Sequence, residues 1–257
     1  MNPFIVLFVL LFSSFQLVAN TNDADVYLNN IQSTLPQKYF ERFQRAVRST
    51  PLQDGPNCFQ STAYISGLTN RTSYMSDLEF FLLLKKFNCQ KIMRNEAIKA
   101  GDIGLLSSDF SSEFRTQHFE HAFIWDKFPD YLVEKIGSYS SFKLKQTHIK
   151  ESENWTLFKK ECIAEPDKCP LKLTNYRCPQ YLAEKPWSGS EKLESQRRLI
   201  EGWVHSSDNP TSEDISKIII ELKIILADFE KEKKENSLEK EEAISLLRQV
   251  QIFQAPN

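Results

Sequence analysis

The chain changes its hydrophobic periodicity at Gly101-Asp102, and this most constrains its fold. Before that point the apolar residues fall at helical spacing. Tyr27 to Val47 reads as helix, and Asp54-Gly55-Pro56 is a turn. Asn57 then caps a helix running to about Gly67. Ser76-Asp77-Leu78-Glu79 has the form of a capping box and opens an apolar helix to about Phe87. After Gly101 the apolar runs are short: Ile103 to Leu106, His121 to Trp125, Tyr131 to Lys135 and Phe142 to Gln146, separated by Asp, Pro, Gly and Ser. Helices followed by consecutive short strands predict an α+β domain with an antiparallel sheet.

Beyond Lys150 the character changes again. Cys162 to Pro186 reads as irregular and proline-rich. Ser212 is expected to cap a helix with Glu213 and Asp214 in its first turn, where acidic groups suit the helix dipole. Ile215, Ile218, Ile219, Leu222, Ile225, Leu226 and Phe229 form one apolar stripe along it, which should be buried. The charged run Glu230 to Glu235 reads as a solvated helix end. Ser237 opens a second helix, giving a C-terminal helical hairpin that packs on the main domain or on a partner. The expected organisation is a leader over 1–19, an α+β domain over 20–150, and a Cys/Pro-rich loop with a helical extension over 151–257.

Met1 to Ala19 carries no charged side chain, and its apolar run Ile5 to Phe12 ends before a small-residue cut at Leu17-Val18-Ala19. That is the pattern of a cleavable signal peptide, so the chain is expected to be secreted or periplasmic, with no stable membrane insertion after cleavage. A formal charge of −2 argues against nucleic acid as a partner. The seven glycines stand apart without a GxGxxG or Walker pattern, which excludes simple dinucleotide and P-loop enzymes. Oligomeric state is left open. Asn70-Arg71-Thr72 and Asn154-Trp155-Thr156 are glycosylation sequons, meaningful in a eukaryotic host.

Five cysteines in an exported chain leave at least one thiol unpaired. Cys58 directly follows the Asn57 cap, so its thiol lies at a helix N-terminus. There the positive end of the dipole favours the thiolate and the open amides can donate to an oxyanion. A thiol nucleophile needs a base, and His121 at the start of an apolar strand is a rigid place for one, with His118 just outside it. Glu134 lies thirteen residues later on the next strand, a hairpin-like distance from which it can orient the imidazole.

Asn57-Cys58-Phe59 opening a helix, then Gly101-Asp102-Ile103-Gly104, then His121-Ala122-Phe123-Ile124-Trp125 resembles the NlpC-type branch of the papain-like cysteine peptidases and amidases, with the related CHAP-type amidases sharing the order. The resemblance spans about Asp54 to Gln146. It implies a papain-like core in which the nucleophile helix packs on an antiparallel sheet. It also implies a Cys58–His121–Glu134 triad and hydrolysis of a peptide, isopeptide or peptidoglycan-type amide through a thioester, without cofactor or metal. Asn57 and Phe59 stand where that family usually has Asp and a small residue, and the interval from Cys58 to Gly101 holds an additional helix.

Other readings of the same residues stay open. Cys58 could be a half-cystine paired to Cys89, His121 a hydrogen-bonded sheet histidine, and Glu134 an exposed strand residue. His118 with Glu120 could form part of a metal pair, although partners for a full site are too few. If Cys58 is the nucleophile, the other four cysteines are expected to pair, two within the Cys162–Cys178 loop and one with Cys89. A non-catalytic peptide- or glycan-binding module and a thioester-dependent acyltransferase are the competing functions.

Overall fold

The computed structural model describes residues 23–49, 52–53, 57–108, 118–136, 143–153, 171–179, 185–205, 210–232 and 237–254. The leader over 1–19, the Asp54-Gly55-Pro56 turn, Cys162, Cys169 and the Asn154 sequon lie outside the described residues. Within them the fold is α+β. A helical turn over 23–29 precedes α1 (Gln37–Arg48), α2 (Cys58–Ile65) and α3 (Asp77–Lys86). The strands follow: β1 (Gln90–Lys91), β2 (Ile103–Ser108), β3 (His118–Lys127), β4 (Tyr131–Glu134), β5 (Lys145–His148) and β6 (Leu171–Arg177). Three further helices close the chain: α4 (Glu194–His205), α5 (Ser212–Lys231) and α6 (Leu238–Ile252).

The helix expected over Tyr27 to Val47 is two helices. Pro36 has no amide to continue an incoming helix and disfavours helical backbone at Leu35, so the chain breaks there and α1 starts from Pro36. Its buried residues Tyr39, Phe43, Ala46 and Val47 recur at helical spacing and enter the main core.

All six strands form one antiparallel sheet in the order β1-β6-β2-β3-β4-β5. β6 corrects the reading of Cys162 to Pro186 as irregular. Leu171–Arg177 pairs with β1 on one side and with all of β2 on the other, so this late segment is interior to the sheet. Leu171 and Leu173 alternate with Lys172 and Thr174, but Asn175 stands where the next apolar residue would fall, so the alternating run is too short to read as a strand. A disulfide joins Cys89, just before β1, to Cys178, just after β6. Ala122, Ile124 and Val133 share the main core with residues of α1, α2 and α3. Leu106, Phe123, Trp125, Leu132 and Ile149 form a separate apolar cluster.

The C-terminal helices have their own core, in which Ile215, Ile218, Leu222 and Phe229 are buried against Ala243, Leu246 and Val250. Ile219, Ile225 and Leu226 are partly buried against the same cluster, so the stripe is covered as expected, but by the other C-terminal helices rather than by the main domain or a partner. Each fully buried side chain of this kind contributes roughly 1.5–3 kcal/mol relative to exposure. The cap of α5 is Thr211 rather than Ser212, in a full capping box with Asp214. α6 docks on α3 through polar contacts. The Ser76 amide, which a capping box would give to Glu79, donates instead to Ser245 Oγ at 2.9 Å, and Ser76 Oγ donates to Glu241 at 2.8 Å. The Glu79 carboxylate is thereby left for the buried Arg71 guanidinium, which also meets Glu242 of α6 at 3.2 Å. Arg197 of α4 joins Glu242 at 2.8 Å. Among the described residues no helix is long and apolar enough to cross a membrane.

Candidate active site

Cys58 is the first residue of α2. Asn57 caps the helix: its Oδ1 accepts from the Gln60 amide at 3.1 Å while its Nδ2 donates to the Met75 carbonyl at 2.7 Å. One side chain thus ends the helix and ties it to the segment leading into α3. An aspartate here could cap, but it could not donate to Met75 and would add a negative charge beside the sulfur. The first amides of a helix have no intrahelical acceptor, so those of Cys58 and Phe59 stand at the open end. Cys58 is a free thiol, and the alternative pairing with Cys89 is excluded because Cys89 is bonded to Cys178.

His121 is brought to this thiol by an irregularity in β3. Leu106 pairs with His121 but Ser107 pairs with Phe119, which leaves Glu120 as an additional residue directly before the histidine. Such a bulge bends a strand and re-aims the next side chain. The imidazole is 3% exposed and stacks on Phe123, ring centroids 6.0 Å apart. Its Nε2–H donates to Glu134 Oε2 at 2.9 Å, which leaves Nδ1 as the nitrogen free to face Cys58, the group that with Glu134 raises the ring's pKa. Burial disfavours the charged ring, but the anionic sulfur of Cys58 and the carboxylate of Glu134 more than offset it and push the pKa up to about 9. The arrangement favours the charged form of the imidazole.

Glu134, read as an exposed strand residue in the alternative view, is 1% exposed. Besides His121 it accepts from Ser152 Oγ at 3.2 Å. The three expected residues Cys58, His121 and Glu134 are therefore joined in one buried chain of side chains. Glu120, expected in the alternative view to join His118 in a metal pair, accepts from Ser108 Oγ at 2.7 Å. The side chain of His118 lies outside the described residues.

Three neighbours escaped the sequence reading. Ser152 follows β5 and gave no signal, because only the tertiary fold brings it to Glu134. Tyr74 lies near the same helix end; burial, then the charge of Cys58 and Asp77, raises its pKa, while Arg248 of α6 and Asn57 lower it. Lys135 is fully buried, with its ammonium donating to the Gln53 carbonyl at 2.8 Å. Burial lowers its pKa to about 8 against the pull of Cys58. Lys135 was visible in the sequence only as the end of the apolar run from Tyr131, and its burial emerges from the fold.

Gly101-Asp102 leads into β2 as expected. Gly101 has φ +92° and allows the chain to turn, and Asp102 holds Arg177 of β6 with contacts of 2.6 and 2.8 Å. A cavity of about 660 Å³ opens beside this turn, against Tyr39, Met93, Asp102 and Arg177, and contains none of the triad residues. No protein-family model, curated protein or solved structure matches the chain.

Proposed function

We propose that the protein is a thiol hydrolase that cleaves an amide bond through Cys58, His121 and Glu134. The observation that carries this reading is the continuous buried link from a free thiol at a helix N-terminus, through an imidazole, to a carboxylate. The α+β layout, with α2 packed against β3 and β4, supports placing it among papain-like folds, of the NlpC or CHAP type. The Cys89–Cys178 disulfide supports an oxidising, exported setting, as the leader pattern does.

In the mechanism the Cys58 thiolate attacks the carbonyl carbon and the carbonyl oxygen becomes an oxyanion at the open end of α2. The imidazolium of His121 gives its Nδ1 proton to the departing amine as the C–N bond breaks, leaving a thioester and a neutral ring. The ring then takes a proton from water, whose oxygen attacks the thioester; collapse releases the carboxylic acid and restores the thiolate–imidazolium pair. Glu134, set by Ser152, holds the ring orientation and favours its charged form. The substrate class is a peptide, isopeptide or peptidoglycan-type amide. Release of new amines from a panel of such substrates tests the reading: turnover should be abolished in Cys58→Ala, and activity persisting in that variant would end it.

A further inference from the structure

The peptide unit between Met75 and Ser76 is gripped from two directions. Its carbonyl accepts at 2.7 Å from Nδ2 of Asn57, the residue that caps α2 directly before Cys58. Its amide donates to Ser245 Oγ of α6 at 2.9 Å. The unit is trans, so it is planar and rigid, with its C=O and N–H pointing to opposite sides. The two bonds are therefore coupled, and a tilt that releases one strains the other. Asn57, Met75, Ser76 and Ser245 are all buried, so a bond lost here is not made good by bulk water. A second link runs beside the first. Gln60 Nε2, in the first turn of α2, donates to the Arg71 carbonyl, and the Arg71 guanidinium meets Glu242 of α6 at 3.2 Å. The segment over 71–76 thus bonds to the nucleophile's helix on one side and to α6 on the other.

We infer that Ser245 is a positioning residue for Cys58, acting through the Met75–Ser76 peptide and the Asn57 cap. This rests on the reading of Cys58 as the nucleophile. Asn57 Oδ1 accepts from the Gln60 amide at 3.1 Å and so sets the open end of α2, whose amides and dipole favour a thiolate. The same side chain can cap and reach back to Met75 only because an amide both accepts and donates. When Nδ2 loses its fixed acceptor, the cap turns more freely and the helix end frays. α6 supplies no member of the triad, yet through Ser245 it becomes part of what holds the thiol.

The test is the rate of Cys58 alkylation by iodoacetamide against pH, on the full chain with its disulfide intact, the modified peptide being mapped by mass. The position of the acid limb reports the thiolate, whereas the plateau rate reports access. Ser245→Ala should move the limb to higher pH by roughly 0.2–0.7 units, a two- to fivefold slower reaction on the limb. Ser245→Thr keeps the hydroxyl acceptor and should stay closer to the wild type. The decisive comparison is the Asn57→Ala background, where the link is already cut, so that adding Ser245→Ala should move the limb no further. An additive shift there, or a Ser245→Ala profile that superimposes on the wild type, overturns the inference while leaving the hydrolase reading standing. A wild-type Cys58 that resists alkylation at every pH overturns both. Should Ser245→Ala fold poorly, Asn57→Ser cuts the link from the other end, since serine still caps but is too short to reach Met75. Coupling is reciprocal, so hydrogen exchange at the Ser76 amide should then quicken several-fold. A Ser76 amide as protected as in the wild type would overturn the inference.

Discussion

The ring of Phe123 lies over Gly104 so closely that a β-carbon at Gly104 would meet it at 2.2 Å. The two residues are register partners across β2 and β3, and the same ring stacks on His121. Gly104→Ala must therefore displace Phe123 and, through it, the imidazole. Overpacking of this kind costs about 1–3 kcal/mol. Denaturant unfolding should show that loss, and Cys58 alkylation should slow in the same variant although residue 104 touches neither the thiol nor Glu134.

The triad residues should differ in the severity of their loss. His121→Ala removes the group that transfers the proton and should lower kcat by about 10²–10⁴-fold. Glu134→Gln keeps the size and an acceptor but removes the charge, so its effect on kcat should be smaller. It should also move the alkaline limb of the rate profile to lower pH, because the carboxylate is one of the causes holding the imidazole's pKa up. Steady-state rates across pH for both variants check this order.

Stability should depend on pH with two opposed limbs. The folded imidazole of His121 titrates near 9 against an ordinary 6.5, so folding gains from its protonation below pH 6.5 and loses that gain as pH rises to about 9. Lys135 has the opposite sign: folded near 8 against 10.5, it charges at a cost below pH 8, and that cost is relieved between about 8 and 10.5. Urea midpoints should fall between about pH 6.5 and 8, level off between 8 and 9 where the two limbs oppose each other, and rise above 9; the rise should vanish in Lys135→Met.

The buried network between α3, α4 and α6 should make the C-terminal helices part of the stability of the whole. Glu242→Ala takes one carboxylate from each of two nearly fully buried guanidinium groups, but Arg71 keeps Glu79 and Arg197 keeps Glu194, so the loss should fall below the roughly 3–5 kcal/mol of a fully broken buried pair. Thermal unfolding of Glu242→Ala should be a single transition at lower temperature. Separate early melting of the C-terminal helices would show that the docking is not cooperative.

Breaking the Cys89–Cys178 bond should destabilise without touching the nucleophile. The bond closes a loop of 89 residues, for which chain entropy gives about 4–5 kcal/mol. The double variant Cys89→Ala/Cys178→Ala should unfold at lower denaturant while its Cys58 keeps the alkylation profile of the wild type.

The triad was legible because each member carries a local signature: a cap before Cys58, an apolar strand after His121, a hairpin distance to Glu134. The helix caps at Asn57 and Ser237 were legible for the same reason. β6 was not, because a strand flanked by paired strands need not alternate when its polar residues find partners, as Asn175 does with the indole N–H of Trp125. Nor could the sequence show that Ser76 would give its amide to Ser245, 169 residues away, rather than to its own helix. Lys135 lay between these cases: its identity was in plain view, but its burial required the fold.

The place of β6 also sets an order on synthesis. β2, β3, β4 and β5 follow one another closely and can pair as soon as they emerge from the ribosome. The outer edge of β2 then stays unpaired until Leu171–Arg177 arrive, and an open edge of this kind invites pairing with other chains. The oxidation of Cys89 must wait for the same segment, since its partner is the residue immediately after it. A nascent chain stalled before residue 171 therefore has its triad residues translated but its sheet incomplete, which makes that interval the one in which a chaperone would matter most.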